Sequence, residues 1–115
     1  MEYPKPKPRK QKKAKNNKAD YSLRVCALCR NKKICQTHEV YGGIFRQDSI
    51  QYGYQVPLCD PCHRKVTNND ETTLDTQMEW KQKFQRQREA ELVRMGHSKE
   101  DARDIWMEEM RRNYL

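Results

Sequence analysis

Cys26-Ala27-Leu28-Cys29 and Cys59-Asp60-Pro61-Cys62-His63, with His38-Glu39 between them, decide how this chain is read. Each Cys-x-x-Cys pair lets a tight turn present two thiolates to one metal, and two such pairs supply the four ligands of a tetrahedral zinc ion. The competing readings of the spacing are two disulfides in a secreted domain or unrelated buried thiols. The chain opens Met1-Glu2-Tyr3-Pro4, without a charged start and an apolar run, and has no stretch of the roughly 18 apolar residues that a membrane span needs. A reducing cytosol and structural Zn²⁺ on Cys26, Cys29, Cys59 and Cys62 are therefore expected, with no membrane partner.

Composition points the same way. At 115 residues and 35% hydrophobic content the chain supports one small domain and some appended helix, but no sizeable apolar core. A structural zinc in so small a domain contributes on the order of 10 kcal/mol of folding free energy, comparable with a domain's whole net stability. The net charge of +8 is uneven: residues 1–20 hold eight Lys/Arg against two acids, which leaves +2 for the remainder. That segment alternates proline with lysine from Pro4 to Pro8 and has no apolar period, so a disordered, extended basic arm is expected. Such an arm suits phosphates, although solubility or an acidic membrane surface would use the same charges.

Outward from the cysteines, Tyr21, Leu23 and Val25 alternate as a short strand does. Arg30 to Lys33 reads as a polar hairpin tip, and Ile34 to Tyr41 as the returning strand that brings up His38. Cys35 is left over as a half-buried free thiol. Gly42-Gly43 ends the strand; Ile44 to Gln51 follows as an irregular loop carrying Arg46, Asp48 and Ser49, and Tyr52 to Leu58 as an extended run. A short helix is expected to start at Cys62-His63.

Beyond Asn68-Asn69-Asp70 the pattern turns helical, with Leu74, Met78, Phe84, Leu92 and Met95 as an imperfect apolar stripe and the charges from Lys81 to Arg88 as a solvated face. Gly96 stops this helix, with His97 as a local capping residue. Ser98 with Asp101 forms a capping box for a second helix whose Ala102, Ile105, Trp106 and Met110 share one face. The two helices are expected to fold back as a hairpin, with the aromatic and methionine residues as core or protein contact. The organisation read from the chain is thus an arm over 1–20, a zinc-bound domain over 21–70 and a helical extension over 71–115.

Cys-x-x-Cys, His38-Glu39-Val40-Tyr41-Gly42-Gly43, Arg46-Gln47-Asp48-Ser49, Tyr52-Gly53-Tyr54, Pro57-Leu58-Cys59 and Cys62-His63 together resemble the small HNH endonuclease-like proteins of bacteriophages. The likeness covers roughly Cys26 to Arg64, and the closing Arg112-Asn113-Tyr114-Leu115 also looks like the tail of such proteins. The resemblance implies a small α+β, zinc-stabilised ββα-metal core of treble-clef type, acting on DNA in the cytoplasm of a bacterial host. It implies a second, catalytic divalent ion such as Mg²⁺ on His38 and His63, with Glu39 as the base that deprotonates water and Arg46 and Ser49 as phosphate-binding residues. Family members often carry His-His where this chain has His38-Glu39. Aligning through Gly42-Gly43 makes His38 the metal ligand and Glu39 the base, whereas a one-residue slip makes His38 the base beside Thr37, a poor ligand. Three functions follow as expectations: a DNA endonuclease, a nucleic-acid-binding module in which the Glu39 departure has removed cleavage, or a scaffold whose C-terminal helices dock a phage packaging or replication protein.

Overall fold

A computed structural model describes residues 21–115; the expectation of a disordered arm over 1–20 lies outside the described residues. The fold is small α+β: a three-stranded antiparallel sheet in the order β1-β2-β3, with four α-helices among the described residues. β1 is Ser22–Val25, β2 Lys32–Glu39 and β3 Gln55–Cys59. β1 pairs with the first half of β2, from Ser22↔Cys35 to Val25↔Lys32, and β3 with the second half, from Cys35↔Cys59 to Glu39↔Gln55. The central strand thereby carries Cys35 beside Cys59 and puts His38 opposite Val56.

Three local expectations are corrected. The stretch from Ile44 to Gln51 is no loop: a 3-10 turn at Gly43–Phe45 leads into helix α1, Arg46–Tyr52. This helix of 7 residues buries polar Asp48 and Ser49, so it shows no apolar period. Its sequence signal is the stop at Gly53, which adopts φ 76, a left-handed conformation that glycine enters without a Cβ penalty. Tyr52 and Gly53 consequently belong to the helix end, and the extended run begins only at Gln55. Helix α2, Asp60–Thr67, starts ahead of Cys62-His63, with Cys59 as its extended N-cap and Pro61 in the first turn, where a missing N–H leaves no bond unmade.

Asp70 accepts bonds from the Thr72 amide at 2.9 Å and the Thr72 hydroxyl at 2.6 Å, launching the 3-10 turn Glu71–Thr73 and then helix α3, Leu74–Arg94. Gly96, at φ 110, ends it, and the His97 amide closes on the Leu92 carbonyl at 3.1 Å. Helix α4, Lys99–Met110, is capped as expected: Ser98 Oγ accepts from the Asp101 amide at 3.0 Å. Ala102, Ile105, Trp106 and Met110 are all buried.

The stripe on α3 differs from the expected one. Leu74 and Met95 are exposed, 46% and 60%, while Trp80, Phe84, Gln85 and Leu92 form the inner face. The charged run is not simply solvated either. Arg88 makes two bonds to Glu109 at 3.1 and 2.7 Å, and Gln85 is fully buried.

One hydrophobic cluster runs from the cysteines through Val56 and Leu58 to Trp80, Phe84, Trp106 and Met110. The helical extension therefore shares its core with the sheet. Rings of Tyr41, Tyr54, Trp106 and Tyr114 meet with centroids 5.3 to 6.5 Å apart, in the edge-on and tilted arrangements that aromatic quadrupoles favour. Tyr41 donates to the Lys81 carbonyl at 2.6 Å, Trp106 to the Arg112 carbonyl at 2.8 Å, and Gln85 Oε1 accepts from the Tyr114 amide at 2.8 Å. The first ties the end of β2 to α3, the second the tail to α4, and the third the tail to α3. Among the described residues no helix is long and apolar enough to cross a membrane.

Candidate metal centre and histidine pair

The turn after β1 brings the first two cysteines together. The Cys26 amide donates to Asn31 and the Arg30 amide to Cys26, both at 2.9 Å, while the Ala27 amide ties the turn to the Pro57 carbonyl at 2.8 Å. The second pair sits where β3 runs into α2, so Cys59 closes the strand and Cys62 lies in the first helical turn. All four sulfurs lie within 4.8 Å of one another, as the ligands of one metal ion do.

All four are free thiols, and Cys29 Sγ lies 3.9 Å from Cys59 Sγ. Zinc–sulfur bonds of about 2.3 Å at tetrahedral angles put sulfurs about 3.8 Å apart, so the cluster fits a tetrathiolate ion. Its protonation chemistry fits too. Burial pushes the Cys26 thiol up, but the amides of Cys59, Cys29 and Leu28 aimed at its sulfur outweigh that and bring it to about 6. Burial and then the neighbouring sulfurs push Cys62 up to about 12. Crowded sulfurs resist ionising together, and a dication is what lets all four do so. Cys35, expected half-buried, is fully buried and stands outside the four-sulfur group; its thiol donates to the Arg24 carbonyl at 3.4 Å.

Beside this centre the fold brings together two histidines from different elements. His38 on β2 and His63 on α2 have ring centroids 5.2 Å apart, edge to face, with the Trp80 ring 6.4 Å from His38. Burial, then His63 and Lys81, holds His38 down at about 4, so its imidazole stays neutral with a lone pair available. No carboxylate joins them closely enough to make a three-ligand group among the described residues.

The other expected site residues lie elsewhere. Successive strand side chains point to opposite faces, and Glu39 follows that rule: Arg46 holds one of its oxygens at 3.3 Å and Gln55 the other at 3.4 Å. The structure thus engages Glu39 with Arg46 and Gln55, not with the histidine pair. Ser49 is turned inward to Tyr41. It is 0% exposed, its hydroxyl donating to the Tyr41 carbonyl at 2.8 Å and accepting from the Tyr41 amide at 3.0 Å, which pins α1 to the end of β2. Arg46 remains solvent-accessible at the rim. The apolar face of α4 is buried in the chain's own core.

Trp80, which the stripe on α3 omitted, is the neighbour of His38 that sequence reasoning missed. Its spacing of four residues from Phe84 on a helix was the available signal. No protein-family model matches the chain, and no curated protein and no solved structure matches it either.

Proposed function

We propose that the chain is a ββα-metal protein of the HNH type that acts on DNA phosphodiester bonds. In this reading the four cysteines hold structural zinc, and His38 and His63 hold a divalent ion such as Mg²⁺. The protein is phage-encoded and works in the bacterial cytoplasm. One observation carries the reading: two imidazoles from β2 and α2 meet at 5.2 Å immediately beside the Cys62 end of the four-sulfur centre. Two imidazoles leave most of an ion's shell to water and phosphate oxygens, which is the open coordination that catalysis requires. An ion held there supplies charge stabilisation at the scissile phosphate. His38 and His63 orient it, and the exposed Arg46 guanidinium offers phosphate contacts at the rim.

A second reading has an observation of its own. The Glu39 carboxylate, in the base position of the motif, is occupied by Arg46 and Gln55, which favours a nucleic-acid-binding module with impaired cleavage. Supercoiled plasmid and single-stranded DNA incubated with Mg²⁺ or Mn²⁺ separate the two. The nuclease reading expects ion-dependent cleavage that falls at least about a hundredfold in His38→Ala and in His63→Ala, a loss of several kcal/mol of charge stabilisation. DNA binding without cleavage selects the module, and cleavage that survives both histidine substitutions overturns the assignment of the pair.

A further inference from the structure

A groove of about 430 Å³ opens between the knuckle turn after β1 and the face of α3. Val56, Pro57, Trp80 and Phe84 line it together with the polar Gln55 and Thr76, and its charged residues are Arg30 and Lys83 against the single acid Glu79. We infer that this groove receives one unpaired nucleotide, the base against the Trp80–Phe84 wall and the phosphate between Arg30 and Lys83, so that the protein prefers single-stranded DNA. The inference rests on the DNA reading above and specifies its substrate.

Size, charge and position converge on that ligand. A cavity of this volume lies near the small end of ligand pockets, enough for one base and its sugar but closed to a base still stacked and paired in a duplex, which would first have to be extruded. Trp80 is only 9% exposed, so it offers a ring edge and not a stacking platform. Apolar contact with Trp80 and Phe84 does not by itself select among bases. The charged residues that line the groove favour an anion, two cations against one acid.

Arg30 itself is held at φ 64, in the left-handed region where glycine sits without strain. Its backbone would be easier as glycine, and what arginine adds there is a cation at the groove mouth. The groove also shares its wall with the histidine pair. Val56 faces His38 in the sheet register, and the Trp80 ring lies 6.4 Å from the His38 ring. A nucleotide seated in the groove thus places a neighbouring phosphodiester next to His38 and His63.

The test is fluorescence anisotropy in buffer without Mg²⁺, with end-labelled oligothymidylate and a duplex of equal length, on the full chain and on the double variant Arg30→Gly/Lys83→Gln. The wild-type chain should bind the single strand about tenfold or more tightly than the duplex, because a paired base must first be extruded before it can fill the groove. The double variant should lose that preference, its single-strand affinity falling by a larger factor than its duplex affinity, with a thermal midpoint no lower than wild type, since Arg30→Gly relieves its backbone. Single strand, and not duplex, should quench Trp80 emission above the constant background of the fully buried Trp106. Equal wild-type affinity for both DNAs, or a preference that survives the double variant, overturns the groove assignment alone. Binding of neither DNA overturns the DNA reading with it.

Discussion

The two ends of this molecule are held by different physics. At the knuckle end, β1 and its hairpin expose Leu23, Val25 and Ile34, and the inward contacts are mainly sulfur: Cys26, Cys35, Cys59 and Cys62. At the far end, Trp106, Tyr41, Tyr54 and Tyr114 pack ring on ring, and Gln82, Gln85 and Arg88 bond the C-terminal tail and α4 to α3. A chain with 35% hydrophobic residues cannot furnish two apolar cores. It concentrates its aromatics at one end and gathers four cysteines within ligand distance of one another at the other. On the zinc reading the cysteine end is the part whose order depends on an added ion, and the candidate site, His38 and His63, lies between the two.

The largest effect should come from the metal. Stripping zinc with a chelator removes up to on the order of 10 kcal/mol from the knuckle, so β-sheet signals should collapse while much of the helical circular dichroism of α3 and α4 persists. A single cooperative loss of both would break the contrast and make the shared hydrophobic cluster the dominant link.

Trp106→Ala sharpens the contrast from the other end. It removes a fully buried ring together with its bond to the Arg112 carbonyl, and should cost about 3–5 kcal/mol in denaturant unfolding. The variant should still bind one zinc per chain; loss of zinc with the ring would show that the knuckle cannot form alone. Smallest of all, Arg46→Ala should change stability by less than about 1 kcal/mol. Its ion pair with Glu39 is half in solvent. A larger loss in urea unfolding would mean that the rim of the site supports the fold.

What could be read from the sequence followed the same division. The cysteine spacing, the stop at Gly96 and the Ser98 cap are local signals, and each appears where it was expected. So does the inner face of α4, because Ala102, Ile105, Trp106 and Met110 keep helical spacing. Helix α1 escaped because its buried residues are Asp48 and Ser49, whose partners exist only in the fold. Gln85 escaped for the same reason: nothing local says that a glutamine in a charged run will be buried with bonds to Glu89, Asn113 and Tyr114. At the candidate site, the adjacency of His38 and Glu39 in sequence suggested shared work, and strand alternation sends them to different neighbours.

The central claim, that four thiolates close on one zinc ion and set the frame for the histidine pair, is tested most directly by native mass spectrometry of freshly isolated protein. The expected mass is that of the chain plus one zinc, with the four ligand protons displaced and no disulfide, and Cys59→Ser should lose the metal. A mass without zinc and lighter by the hydrogens of disulfide formation among Cys26, Cys29, Cys59 and Cys62 would contradict it.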